Sequence, residues 1–181
     1  LYDYVRQDYP ELFEEIRRRV AEGRWEPAGA MWVECDCNLV SGESLVRQIL
    51  YGTRFFEKEF GYHNDFLWLP DVFGYSWALP QILSQFGIHT FVTTKISWND
   101  TNKLPYDTFV WRGIDGSEVL THFITCPEHS ANRYYTYNGI IDPYMVRGVW
   151  KKYANKDVNT DLLIPFGYGD GGGGANRDML E

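Results

Sequence analysis

The chain has 181 residues, 44% of them hydrophobic and 17% aromatic, with a formal net charge of −8. That is enough apolar material to bury a core, which excludes a chain disordered by composition. The negative balance excludes a nucleic-acid surface, which needs clustered Lys and Arg; the one basic cluster, Arg17-Arg18-Arg19, is interleaved with Glu11, Glu14 and Glu15 and reads as a solvated helix face.

Residues 1 to about 22 carry Val5, Leu12, Ile16 and Val20 among charges, the pattern of an amphipathic helix, with Pro10 starting its second part and Gly23 ending it. Residues 25–34 read as a strand. Ser41-Gly42-Glu43-Ser44 opens a second helix that runs through Phe60 and stops at Gly61. Next comes the apolar run Phe66-Leu67-Trp68-Leu69-Pro70, which ends on Asp71. A helical stretch follows with Leu79, Ile82 and Leu83 on one face, then Gly87 and a second apolar run from His89 to Thr94. Strand, helix and strand within about thirty residues make a right-handed βαβ unit, with Asp71 and Lys95 at the C-terminal ends of its two strands. An acid and an ammonium on that rim stand where parallel-stranded enzymes bind ligands.

Residues 106–123 read as a hairpin turning at Gly113-Ile114-Asp115-Gly116, and residues 124–139, rich in Tyr, Asn and Pro, as a long loop of the kind that lines a site. A helix near 143–154 leads to an expected strand over 161–166, and a further helix begins near Asp178. Alternating strands and helices predict a mainly parallel α/β architecture. The chain starts on Leu1 within a helical pattern and ends as another begins, so it reads as one domain, or part of one, from a longer chain.

Acids follow three of the expected strands: Glu34 and Asp36, then Asp71, then Asp170. Two convergent carboxylates are what glycoside hydrolysis uses, one as nucleophile and one as general acid, although acids at strand ends also cap helices and tie loops. The segment Gly167-Tyr168-Gly169-Asp170-Gly171-Gly172-Gly173-Gly174 lacks the Gly-Lys-Ser/Thr ending of a phosphate loop, and Asp170 would repel phosphate. A glycine loop that brings Asp170 to a substrate fits better, with a flexible linker as the bland alternative. Cys35, Cys37 and Cys126 lack the spacing of a structural zinc site and read as reduced thiols of a cytoplasmic protein. His63, His89, His122 and His129 show no ligand spacing, and no run approaches the length of a membrane helix. Trp32, Trp68, Phe73, Tyr75 and Trp98 are candidates for stacking on sugar faces, though aromatics of this kind are mostly core.

In Met31-Trp32-Val33-Glu34, Asp36-Cys37-Asn38-Leu39, residues 41–48, Leu69-Pro70-Asp71-Val72-Phe73-Gly74-Tyr75-Ser76, Leu79-Pro80-Gln81-Ile82, Thr94-Lys95-Ile96-Ser97-Trp98-Asn99 and the glycine loop, the chain resembles the glycoside hydrolase family 38 α-mannosidases, cytosolic and bacterial branch. The stretches run in family order over nearly the whole chain. The resemblance implies an incomplete (β/α) barrel of the seven-stranded type, with residues 1–181 forming part of the N-terminal catalytic domain. It implies retaining hydrolysis of terminal α-mannosides from a mannose-containing oligosaccharide, with Asp71 as nucleophile and zinc ligand and Asp170 as general acid/base. Asp36, Phe73 and Lys95 match positions that contact the sugar. The family's other zinc ligands, a His-x-Asp pair and a further His, lie outside these residues, so the segment alone is expected to be metal-poor and inactive. No nucleic acid or membrane partner is implied, and self-association of the full-length enzyme is left open. The alternatives are a non-catalytic carbohydrate-binding segment and a metal-dependent polysaccharide deacetylase-like barrel.

Overall fold

The structure, a computed structural model, describes residues 1–129, 133–170 and 173–181. Its centre is one mixed sheet of β1 (Phe66–Trp68), β2 (Thr90–Thr93), β3 (Thr108–Arg112) and β4 (Glu118–Phe123), in the order β1-β2-β4-β3. β1 pairs with β2 and β2 with β4 in parallel, while β3 and β4 form an antiparallel hairpin. The helix α4 (Leu79–Gln85) joins β1 to β2, so the expected strand-helix-strand unit forms, with Leu79 and Leu83 fully buried. The expected hairpin forms too, closed where Gly113 N donates to Ser117 O at 2.8 Å.

The register sets Leu67 opposite Phe91 and Phe91 opposite Thr121, so these share one face of the sheet, and Val92 and His122 share the other. On the first face Leu67, Phe91 and Val119 pack in one core with Leu45 and Ile49 of α3 (Gly42–Phe60) and with Leu79 and Leu83. On the second, Val92 packs with Ile124, Cys126 and with Met145 and Val149 of α5 (Pro143–Lys152). The caps are the local reason for these helices. Ser41 Oγ accepts from Ser44 N at the start of α3, Gly61 closes it in the left-handed region at φ 62°, and Asp142 accepts from Met145 N at the start of α5. At the N-terminus α1 (Tyr2–Asp8) breaks at Tyr9, and Pro10 begins α2 (Pro10–Ala21). This pair reaches α3 through the rings of Tyr2 on Phe56 and Phe60 and of Phe13 on Phe55 and Phe60.

The expectation of an incomplete, seven-stranded, mainly parallel (β/α) barrel is corrected by this sheet of four strands, one of them antiparallel, among the described residues. Two stretches expected as strands form none. Over residues 25–34 the backbone turns at Gly29 (φ 118°) and Ala30 (φ 64°), outside the extended region, and Pro27 lacks an amide to donate. Over residues 161–166 the only pairing is an isolated bridge between Phe166 and Gly139, and Pro165 again removes a donor. The helix expected from Asp178 is a short 3-10 turn, Arg177–Met179.

Instead of a strand, residues 30–32 form a segment pressed against α3. A Cβ on Gly52 would stand 2.1 Å from Ala30 O, 2.5 Å from the Met31 carbonyl carbon and 2.7 Å from Trp32 N, all of them backbone atoms that cannot swing aside. Beside this contact Trp32 N donates to Gln48 O at 2.9 Å and Val33 N to Gln48 Oε1 at 3.0 Å. Gly52→Ala is therefore expected to destabilise the fold by about 3 kcal/mol, the upper end of ordinary overpacking, despite alanine's better helix propensity. Thermal or urea unfolding of the variant checks this, and a midpoint at or above that of the parent would contradict the close approach.

Candidate active site

The last ladder bond of β1 is Leu69 N to Val92 O at 3.1 Å; Pro70 follows without an N–H, and the chain turns. Asp71 is the first residue beyond, with its side chain one-third exposed. Tyr75 secures the turn: its hydroxyl lies 3.0 Å from Leu69 O and 2.9 Å from Val72 O, and it also pairs with Thr93 Oγ1 at the end of β2. Two residues past Thr93, Lys95 opens the 3-10 turn Lys95–Ser97. Both strand ends thus reach one rim, as the βαβ reading expects.

On that rim Lys95 Nζ lies 3.3 Å from Asp71 Oδ1, and the Tyr137 hydroxyl donates to Asp71 Oδ2 at 3.1 Å. Each carboxylate oxygen therefore has its own partner. The ammonium is enclosed by rings, 4.1 Å from the centroid of Trp98, 5.5 Å from Tyr137 and 5.6 Å from Phe73. Phe73 and Trp98 meet edge to face, and Trp98 is fixed by its indole N–H donating to Tyr135 O at 2.8 Å. Such cation–π contacts stabilise by about 0.5–1 kcal/mol each when exposed and more when desolvated.

A second segment runs alongside the turn. Glu34 Oε1 accepts from Asp71 N at 2.6 Å, Cys37 forms an isolated parallel bridge with Tyr75, and Gly74 leaves room for Asn38, whose Nδ2 would stand 2.1 Å from a Cβ there. Asp36 lies between these contacts, but its Oδ1 accepts from Asn38 N and Leu39 N, and those amides hold its carboxyl below the usual range. Burial raises the Glu34 carboxyl above its ordinary value; the Asp71 amide opposes the shift and the Asp71 charge adds to it.

Asp170 sits in the glycine loop in the left-handed region, φ 53°. The loop closes where Tyr168 and Gly174 exchange backbone hydrogen bonds at 2.8 Å, and Gly169 leaves space for the Asn138 side chain, next to Tyr137. Gly171 and Gly172 of that loop lie outside the described residues. Among the described residues Asp170 makes no hydrogen bond or ion pair with the Asp71 group. Its charge still bears on the Tyr137 phenol, which burial raises first, followed by the Asp71 charge and hydrogen bond and by the charges of Asp170 and Glu34. Tyr137 is thus a protonated donor near neutral pH.

The expected residues Asp71, Phe73 and Lys95 come together; Asp36 precedes Cys37, which bridges to Tyr75, and has its carboxylate engaged by the amides of Leu39 and Asn38, while Asp170 makes no hydrogen bond or ion pair with this group among the described residues. Tyr137 was part of a loop expected to line a site, without being distinguished there, and Glu34 appeared only as a strand-end acid. Of the candidate stacking aromatics, Trp98 and Phe73 are on the rim. Trp68 and Tyr75 pack against the cores, and Trp32 packs on Phe55 of α3.

Among the described residues no group of three or more His, Cys, Asp or Glu is arranged to hold a metal ion. Burial pushes the Cys37 and Cys126 thiols up to about 12, keeping them protonated and poor ligands. His63 and His129 lie near Glu57 and Asp142, and His122 pairs with Thr108 Oγ1. Asp71 alone, already paired with Lys95, does not make a metal site.

Residues 1–181 match the family described as glycosyl hydrolases family 38 N-terminal domain. The chain is 47% identical over 182 residues to alpha-mannosidase G of Dictyostelium discoideum, 43% over 182 residues to alpha-mannosidase 2C1 of Homo sapiens and 38% over 181 residues to alpha-mannosidase of Saccharomyces cerevisiae. Each comparison covers 99% of this chain and 16% of the relative, so the chain spans about 16% of the length of these curated relatives. Among solved structures, an alpha-mannosidase from Enterococcus faecalis superposes with a TM-score of 0.64 at 22% identity, over 91% of this chain and 18% of the other. A 4-alpha-glucanotransferase from Thermococcus litoralis superposes with a TM-score of 0.54 at 17% identity, over 67% of this chain and 19% of the other. These two likenesses concern the fold alone. The match over every residue, with relatives up to 47% identical, makes this chain a member of the glycosyl hydrolase family 38 N-terminal domain family.

Proposed function

We propose that residues 1–181 are part of the catalytic domain of a retaining α-mannosidase that removes terminal mannose from oligosaccharides. The observation that carries the reading is the Asp71 carboxylate at the end of β1, with one oxygen 3.3 Å from Lys95 Nζ and the other accepting from Tyr137. A nucleophilic carboxylate must be aimed, and two partners on its two oxygens, the Lys95 ammonium and the Tyr137 hydroxyl, fix its plane. Relatives named alpha-mannosidase support the substrate class.

In this reading Asp71 attacks the anomeric carbon and forms a covalent glycosyl ester while Asp170 protonates the departing glycosidic oxygen. Asp170 then takes a proton from water, which attacks the ester and frees the sugar and Asp71. Lys95 offsets the Asp71 charge before attack and again as the carboxylate is released. Phe73 and Trp98 offer apolar faces against which a sugar ring can rest, and Asp36 is a further sugar contact in this reading, as the family resemblance implies. A divalent zinc ion, which the family resemblance implies, would find one carboxylate here; the described residues do not complete a site for it, and no step above passes through an ion. The free thiols of Cys35, Cys37 and Cys126 support a reducing, cytoplasmic setting.

In the full-length enzyme, Asp71→Asn is expected to lower kcat on an aryl α-mannoside by on the order of 10³-fold or more, with circular dichroism unchanged, since the amide keeps the shape and loses the nucleophilic charge. Activity within about tenfold of the parent would remove Asp71 from the nucleophile role.

Asp170→Ala tests the second carboxylate through the leaving group. Mannosides with poor leaving groups are expected to lose about 100-fold or more, and activated aryl mannosides much less in the first step, because a good leaving group departs without a proton. Equal losses on both would mean that Asp170 only shapes the loop.

A further inference from the structure

We propose that Glu34 is a positioning residue for Asp71, its carboxylate clamping the Asp71 amide and so setting where the Asp71 carboxylate points; the catalytic half of this inference rests on the reading of Asp71 as nucleophile. The amide of Asp71 has no strand partner, because the β1 ladder ends at Leu69 and Pro70 contributes no N–H. Glu34 Oε1, from a segment 37 residues earlier, takes that donor at 2.6 Å. A charged acceptor at this distance makes one of the stronger hydrogen bonds a protein forms.

Glu34 is itself held from both sides. Behind it, Trp32 N and Val33 N donate to the backbone and side-chain oxygens of Gln48 on α3, where Gly52 allows the chains to touch. Ahead of it, Cys37 bridges to Tyr75, whose hydroxyl ties the same turn to the end of β2. Among the described residues the Glu34 carboxylate makes no other hydrogen bond. Asp71 is then fixed at three points: its amide by Glu34, Oδ1 by Lys95 and Oδ2 by Tyr137. Releasing the amide frees the backbone on which the other two contacts depend. Glutamine retains an acceptor oxygen and can keep the clamp, whereas alanine cannot.

The test uses the full-length protein with Glu34→Ala and Glu34→Gln, hydrogen–deuterium exchange of peptides spanning residues 68–76, and steady-state kinetics on an aryl α-mannoside. Glu34→Ala is expected to speed amide exchange in this turn by about tenfold or more as the local structure opens. It is also expected to lower kcat by about 100-fold, with KM within about threefold of the parent, the scale of misplacing a reacting group. Glu34→Gln is expected to restore both to within about threefold of the parent. Far-UV circular dichroism checks that each variant is folded. Unchanged exchange in Glu34→Ala overturns the clamp, and faster exchange with unaltered kcat, or a Glu34→Gln variant as slow as Glu34→Ala, overturns the positioning role. If the parent does not turn over the mannoside, the mannosidase reading fails, and the exchange data alone decide whether Glu34 clamps the turn.

Discussion

Residues 30–32 can lie against α3 only because position 52 carries no Cβ, and the rim of the candidate active site hangs from that contact. The close approach lets Gln48 bind Trp32 and Val33, which delivers Glu34 to the amide of Asp71. From there the segment continues alongside residues 71–75, with Cys37 beside Tyr75 and Asn38 against Gly74. An irregular stretch without strand pairing thereby acts as a brace between a helix and a turn. Its rigidity comes from backbone donors satisfied at both ends, since an unpaired buried amide costs about as much as a lost hydrogen bond.

The electrostatics follow from this brace. The Tyr137 phenol donates to the Asp71 carboxylate, the charges of Asp170 and Glu34 add to the rise of that phenol, and Lys95 pairs with Asp71. The Lys95 side chain is only 12% exposed, so its pair with Asp71 differs from surface ion pairs, which contribute about 0–1 kcal/mol. The faces of Phe73, Trp98 and Tyr137 exclude water from the ammonium, and the lower local dielectric strengthens both the pair and the cation–π contacts. The same burial raises the Glu34 carboxyl and the Tyr137 phenol. Tyr137 is therefore kept as a donor to Asp71, and Lys95 stands beside it as the local countercharge.

Several elements were legible because their causes are local. The start and stop of α3 follow from Ser41 and Gly61, the hairpin from its glycine turn, and the unit around α4 from leucines spaced along one helical face. Residues 25–34 and 161–166 misled because an apolar stretch reads as a strand whether or not a partner strand waits beside it. In both, proline removed a donor, and in the first Gly29 and Ala30 bent the backbone away from the extended region. The seven-stranded barrel expectation, drawn from family resemblance, assumed strands in both; a mixed four-stranded sheet forms instead.

The sequence by itself determined the family, through long ordered motifs, and it determined that Asp71 and Lys95 end neighbouring parallel strands, because strand direction and alternation follow from short-range pattern. It also marked Phe73 as a companion of both. Only the tertiary structure decided that Tyr137 meets Asp71 across 66 residues and that Glu34 meets it across 37. Neither contact has a local signature: a tyrosine in an irregular loop and a glutamate in an unpaired segment satisfy ordinary local preferences wherever they point. Their positions are set by where the chain packs, against α3 for one and against the second face of the sheet for the other.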